Sequence, residues 1–295
     1  MTLNALSVDL EEYFHVSNLE SVIDRADWDS LPSRVREPTQ RLLDLFEECG
    51  VHSTFFVLGW VAERQPQLIR EIAERGHEIA CHGYAHELVY RIGSKRFRED
   101  VRRARRAIED ACGTAVVGYR APSYSITESS LWALHILADE GFEFDSSIFP
   151  IRHPRYGIPD FSRLPVRLDL GSGTSLLEFP LSTLRVGPLN LPVAGGAYLR
   201  FCPEPLFRRA LGRLVSRGDP TVLYLHPWEI DHEQPRHEVS LRVRINHYHN
   251  LHRMESRVRA VLSAFPFSPL SAVLSSLEVM DRLPWYEIAK HPEVA

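Results

Sequence analysis

The chain has 295 residues, 44% of them hydrophobic and 25% charged, with a formal net charge of −5. That balance fits a globular protein with a core large enough for one big α/β domain, and it lacks the basic excess of a nucleic-acid surface. No stretch approaches the roughly 18 continuous apolar residues of a membrane span. Cys49, Cys81, Cys112 and Cys202 are scattered, as buried thiols in a reducing compartment would be.

In chain order, the N-terminus has no basic region followed by a long apolar segment, so no export signal is expected and the chain reads as cytoplasmic. It opens directly on a strand that ends at Asp9-Leu10-Glu11-Glu12. A cadence then recurs of amphipathic helix, glycine and short apolar strand. Gly50 stands before Thr54–Val57, Gly76 before Glu78–Cys81, and Gly113 before Val116-Val117. Gly141 stands before Phe142–Phe144, and Gly218 before Thr221–Leu225. Glycine after a helix supplies the left-handed conformation that a side chain resists. Phe97, Val101, Ala104, Ile108 and Ala111 form one stripe behind a Ser94 N-cap, and Thr127 similarly precedes Leu131, Leu134, Leu137 and Ala138. Arg102, Arg103, Arg105 and Arg106, interleaved with Glu99, Glu109 and Asp110, read as a solvated helix face.

Helices alternating with strands that are apolar on both faces imply a parallel sheet with right-handed crossovers. The sheet is expected to be open and doubly wound or closed as a barrel. No phosphate-cradling glycine loop follows the first strand, which disfavours nucleotide binding. Residues 150–205 break the cadence. They read as an insertion over the barrel mouth, with a hairpin around Leu176–Leu181 and Thr183–Val186, rather than as a separate domain. Residues 250–280 add two terminal helices, so 1–295 is expected to be a single catalytic domain.

The chemistry sits at the strand ends. His82 and His86 follow the Glu78–Cys81 strand, where parallel α/β folds gather reactive groups. Alone, two histidines at this spacing are a weak metal signal. Asp9 and Glu11 close the first strand, Arg120 follows Gly118-Tyr119, Asp145 follows Phe144, and His226 follows Leu225. Each has an ordinary structural role available, as helix cap, surface ion pair or satisfied polar residue. The strand pattern nevertheless aims all of them at one face. The later histidines, His232, His237, His247, His249 and His252, lack a carboxylate pattern and read as surface residues.

The ordered set of an aspartate-bearing first strand, His-x3-His, Arg-x-Pro, Asp-Ser and Leu-Tyr-Leu-His resembles the polysaccharide deacetylase family, also called the NodB-homology or carbohydrate esterase 4 group. Ser7–Val16 and the Glu229-Ile230-Asp231, Gln234-Pro235 and Phe267–Leu270 segments resemble its cytoplasmic branch associated with bacterial exopolysaccharide clusters. The resemblance spans roughly positions 5 to 275. It implies an α/β fold, a distorted (β/α) barrel with fewer than eight strands. It also implies Asp9 as general base, Arg120 orienting it, His226 as general acid and Asp145 holding or tuning His226.

The resemblance further implies that His82, His86 and a first-motif carboxylate bind a divalent metal, zinc foremost, with cobalt, nickel, iron or manganese as alternatives. Asp-Leu-Glu-Glu replaces the adjacent aspartates of many members. Side chains alternate along a strand, so Glu11 shares the Asp9 face and is favoured over Glu12. Gly83 replaces the Ser or Thr common after the first histidine, which removes a hydrogen bond that usually braces the loop. The implied reaction is removal of an N-acetyl group from an amino sugar or glycan precursor.

Substrate contacts are expected from Tyr198 and Arg200, in a loop or in a tight turn leading to a strand, and from Trp228, which either stacks on a sugar ring or packs under the terminal helices. A backbone N–H near Tyr124 or Ser125 is expected to steady the oxyanion. The expected partner is an N-acetylated sugar; the chain is expected to bind no nucleic acid, to lack a transmembrane segment and to be open to homo-oligomerisation. The rival readings are hydrolysis of a non-sugar linear or cyclic amide on the same barrel, and a catalytically silent sugar-binding protein.

Overall fold

A computed structural model describes residues 3–288. Eleven strands occur among them: β1 (Asn4–Leu10), β2 (Thr54–Val57), β3 (Glu78–Cys81), β4 (Gly118–Tyr119), β5 (Phe144–Asp145), β6 (Val166–Asp169), β7 (Ser175–Glu178), β8 (Thr183–Val186), β9 (Leu189–Pro192), β10 (Thr221–Leu225) and β11 (Trp285–Glu287). The α-helices are α1 (Arg36–Glu48), α2 (Gly59–Arg64), α3 (Pro66–Glu74), α4 (Val89–Cys112), α5 (Trp132–Asp139), α6 (Ala197–Phe201), α7 (Glu204–Ser216), α8 (Leu241–Tyr248), α9 (Leu251–Leu262) and α10 (Leu270–Val279).

Nine strands form one sheet in the order β10-β1-β2-β3-β4-β5-β7-β6-β11. From β10 to β7 every neighbouring pair is parallel; β6 then pairs antiparallel with β7. The sheet is not closed by strand pairing. Instead an extended segment runs along the free edge of β10, where Tyr224 N–H donates to the Ala194 carbonyl at 2.7 Å and Gly196 N–H to the Tyr224 carbonyl at 2.9 Å. Gly195 lies so close that a Cβ there would meet the Tyr224 carbonyl oxygen at 2.1 Å. This is a distorted barrel with seven parallel strands.

Alternation along the strands builds two cores. Leu6, Val8, Leu10, Phe55, Val57, Leu223 and Leu225 face outward under the helices. Ala5, Phe56, Ala80, Phe144, Val222 and Tyr224 face inward, where Leu270, Val273, Leu274 and Leu277 of α10 join them. The five glycines of the repeating cadence all have positive φ, from 64° at Gly50 to 81° at Gly76. Gly93 breaks α4 with φ 69° and ψ 169°, so its regular part begins at Ser94.

The 150–205 stretch departs from the expectation of a mouth insertion. Its β6 and β7 extend the main sheet, and β7 pairs with β5 rather than with Thr183–Val186. The latter pairs with β9 as a separate hairpin. Tyr198 and Arg200 lie on α6, not on a strand.

Candidate active site

The C-terminal ends of the parallel strands open on a cavity of about 610 Å³. Asp9, Glu11, His82, His86, Tyr124, Tyr198, Arg200, His226 and Trp228 all line it. Side-chain alternation carries Ser7, Asp9 and Glu11 to the inner face of β1 and just beyond its end. His82 follows β3, and His86 sits at φ 51°, an uncommon left-handed backbone for a residue with a side chain. Arg25 steadies that turn by donating to the His86 carbonyl at 3.1 Å. Asp100 braces it from α4 by accepting from Tyr84 N–H at 3.0 Å, in place of the side chain that Gly83 lacks.

One ligand atom from each of Glu11, His82 and His86 lies within 4.8 Å of the others, and all three residues are buried. Glu11 Oε2 is 3.1 Å from His86 Nε2 yet has no hydrogen-bond partner. Two tetrahedral ligands about 2.0–2.2 Å from a zinc ion would be spaced about 3.3 Å apart. His82 Nδ1 is 2.8 Å from the Arg120 carbonyl, so it donates there and leaves Nε2 as an unprotonated lone pair. Burial, above all, lowers the His82 imidazole to about 4, which keeps it neutral. Burial opposes ionisation of Glu11, but His86, with His226 and His82 beside it, holds its carboxyl well below the usual range. Two neutral-capable imidazoles and a carboxylate with an orphaned oxygen fit a divalent cation. Glu12 points elsewhere, accepting from Ser33 Oγ at 2.5 Å and from Arg34 N–H at 2.9 Å.

Asp9 lies beside this cluster. Arg120 Nη1 donates to its Oδ1 at 2.7 Å, and Tyr124 Oη is 3.4 Å from Oδ2. Arg120 is fully buried and further held by Ser7 Oγ, Ser146 Oγ and the Ser146 carbonyl. His226 Nε2 lies 3.5 Å from Glu11 Oε1 and 3.9 Å from Asp9 Oδ2. Burial would lower the His226 imidazole. The Glu229 hydrogen bond and the charges of Glu11, Glu229 and Asp9 outweigh it and raise the imidazole to about 9.

Four expected roles change. Asp145 does not touch His226; it accepts from Ser147 Oγ at 2.6 Å and faces Glu178 across the β5–β7 register. Burial, and then the Asp145 charge, push the Glu178 carboxyl well above its usual range. The group at His226 Nδ1 is Glu229 Oε2, 3.1 Å away. Arg200 is committed to Glu229 Oε1 at 2.7 Å and to the carbonyls of Asn246, His247 and His249, leaving its guanidinium no role toward a substrate. Trp228 is buried and packs its ring against His226 and His247, the alternative to stacking on a sugar, while its Nε1 donates to Glu11 Oε1 at 3.1 Å. The N–H groups of Tyr124 and Ser125 are taken by the Ala121 and Pro122 carbonyls and do not serve an oxyanion. Glu229 was missed, although its place three residues after His226, just past a proline, is a local helical-turn signal.

A family model for polysaccharide deacetylase matches residues 27–139. That stretch is similar to a polysaccharide deacetylase domain. Residues 146–275 match a second model, described as a domain of unknown function (DUF3473). Curated relatives match parts of the chain as well. A chitooligosaccharide deacetylase of Sinorhizobium fredii is 39% identical over 88 residues, 30% of this chain and 41% of the relative. A peptidoglycan-N-acetylglucosamine deacetylase of Bacillus cereus is 32% identical over 98 residues, 33% of this chain and 36% of the relative. The matched stretch therefore spans about two fifths of those relatives.

A protein assigned as a polysaccharide deacetylase from Mycobacterium smegmatis shares the fold at TM-score 0.69 and 21% identity, over 98% of this chain and 94% of that one. An allantoinase does so at TM-score 0.62 and 16% identity, over 95% and 91%. Among the described residues no helix is long and apolar enough to cross a membrane.

Proposed function

We propose that the protein is a metal-dependent N-deacetylase that hydrolyses the acetamido group of an N-acetylated sugar. One observation carries this reading. The Glu11–His82–His86 cluster shares one cavity with Asp9, held by Arg120, and with His226, held by Glu229. A sugar-binding protein needs neither a base nor an acid flanking such a cluster. The sequence relatives are named for sugar deacetylation, which favours a sugar amide over the non-sugar amide of the allantoinase, a likeness of fold alone.

Glu11, His82 and His86 would hold the cation, and their two imidazoles and one carboxylate suit zinc. When bound, the ion supplies a Lewis acid beside the acetyl carbonyl and raises the acidity of water in the site. Asp9 accepts the proton of the attacking water as its oxygen bonds to the acetyl carbon. Arg120 fixes the carboxylate so that Oδ2 faces the cavity. The carbon–nitrogen bond then breaks, and His226 Nε2 protonates the departing sugar amine. The products are acetate and the free amine. Glu229 anchors His226 at Nδ1, leaving Nε2 toward the substrate. The unpaired cysteines match a reducing compartment, which favours an intracellular precursor as substrate.

The test is acetate release from N-acetylglucosamine oligomers by zinc-loaded protein, with an Asp9→Asn variant alongside. Asp9→Asn is expected to keep its zinc and lose at least about 100-fold in turnover. No acetate from the loaded wild type, or full activity in the variant, would overturn the assignment.

A further inference from the structure

The cavity holds its acids at the floor and its free cations at the mouth. Asp9, Glu11 and Glu229 are each at most 2% exposed. Each is already answered, Asp9 by Arg120, Glu229 by Arg200 and Glu11 by the imidazoles. Arg155 and Arg242 also line the cavity, and both are exposed. Among the described residues neither makes an ion pair. Both lie near enough to His153 to hold its imidazole below the ordinary range, after burial, by their positive charge. Among the described residues no other carboxylate lines this cavity.

Exposed arginines without an ion pair also occur away from the cavity, at Arg70, Arg209 and Arg213 among the described residues, while others are paired. Arg64 is matched by Asp29, Arg96 by Glu87, and Arg98 by Asp139 and Glu140. The chain as a whole is negative, at −5, so a cationic mouth is a local feature. A cavity with low-dielectric walls and charge of one sign focuses its field on an entering ligand. A guanidinium fork suits the oxygens of phosphate and carboxylate alike. Phe201, 42% exposed and stacked against His249, supplies an apolar surface at the same mouth.

We propose that the N-acetylated sugar entering this cavity carries an attached anionic group, a phosphate or a uronic-acid carboxylate, which Arg155 and Arg242 engage at the mouth. The inference rests on the deacetylase reading and names the substrate class within it. A neutral N-acetylglucosamine oligomer leaves both arginines without a partner. An anionic substrate pairs them while its acetamido group reaches the Asp9–His226 floor.

The test measures binding by calorimetry to a zinc-loaded, turnover-deficient protein, Asp9→Asn, or His226→Gln should that variant not fold. The ligands are uridine diphosphate N-acetylglucosamine, a glucuronate–N-acetylglucosamine tetrasaccharide and neutral diacetylchitobiose. At least one anionic ligand is expected to bind about tenfold or more tighter than the neutral one. That advantage is expected to shrink with added salt and in an Arg155→Gln/Arg242→Gln background, with Arg→Lys at both positions restoring part of it. The preferred anionic ligand tells phosphate from carboxylate. Equal or tighter binding of diacetylchitobiose, or an advantage that survives loss of both arginines, overturns the inference. Acetate release by the wild type is read separately. Selective anion binding with no acetate from any of the three would sink the deacetylase reading and leave the charged mouth standing.

Discussion

The indole of Trp228 is packed against two imidazoles. His226 and His247 stack on it at centroid distances of 5.0 and 4.5 Å, and Nε1 donates to Glu11 Oε1. One oxygen of Glu11 is thereby fixed toward Trp228, and the other is left facing His86. Partners of this kind orient a ligand and strengthen its hold on metal. Trp228→Phe keeps a stacking ring and removes only the donor. Its zinc affinity is expected to fall about 10–100-fold, measured by competition with a chromophoric chelator. Unchanged affinity would show that Glu11 needs no such orientation. Side-chain roles of this type were the least legible part of the sequence. Asp145 stands at a strand end as expected, but its partner Glu178 comes from β7, a register neighbour that no local pattern announces.

Elements were more legible where the signal was local. The glycine after each helix needed only backbone sterics, and the odd-numbered face of β1 needed only strand alternation. The β5-β7-β6 order was not legible, because it sets a later strand beside an earlier one. The entry to β3 carries a local pH dependence. His77 Nδ1 accepts from Ser53 N–H at 3.1 Å, which requires the neutral ring. Burial, and then the positive charge of His52 and Arg75, lowers its imidazole from 6.5 to about 4. Between those values the unfolded chain binds a proton that the folded one refuses. Stability is therefore complete above about pH 6.5 and is lost progressively as pH falls toward 4. Asn in place of His77 offers a non-titrating acceptor. Urea unfolding at pH 7.5 and 5 is expected to show His77→Asn losing about 1–2 kcal/mol less than wild type over that interval. Equal losses would mean that His77 titrates normally in the fold.

On the scale of the whole molecule, the cluster ties together parts of the chain that are distant in sequence. Glu11 comes from the end of β1, His82 and His86 from beyond β3, and the Trp228 that orients Glu11 from beyond β10. β1 pairs with both β2 and β10, so these are neighbouring strands of one sheet with β10 at a free edge. The unfolded chain cannot hold Glu11, His82 and His86 within 4.8 Å of one another, so a cation they bind together stabilises the native state alone. At free zinc about 100 times its dissociation constant the gain is about 2.7 kcal/mol, which for a chain of this length raises the thermal midpoint by about 5 °C. A chelator is expected to reverse that rise. His82→Ala, which removes one ligand and little buried volume, is expected to abolish most of it while still unfolding cooperatively without metal. Differential scanning fluorimetry across a zinc titration reads both. A wild-type midpoint indifferent to zinc, or an equal rise in His82→Ala, would mean that the cation is not held where these three side chains converge.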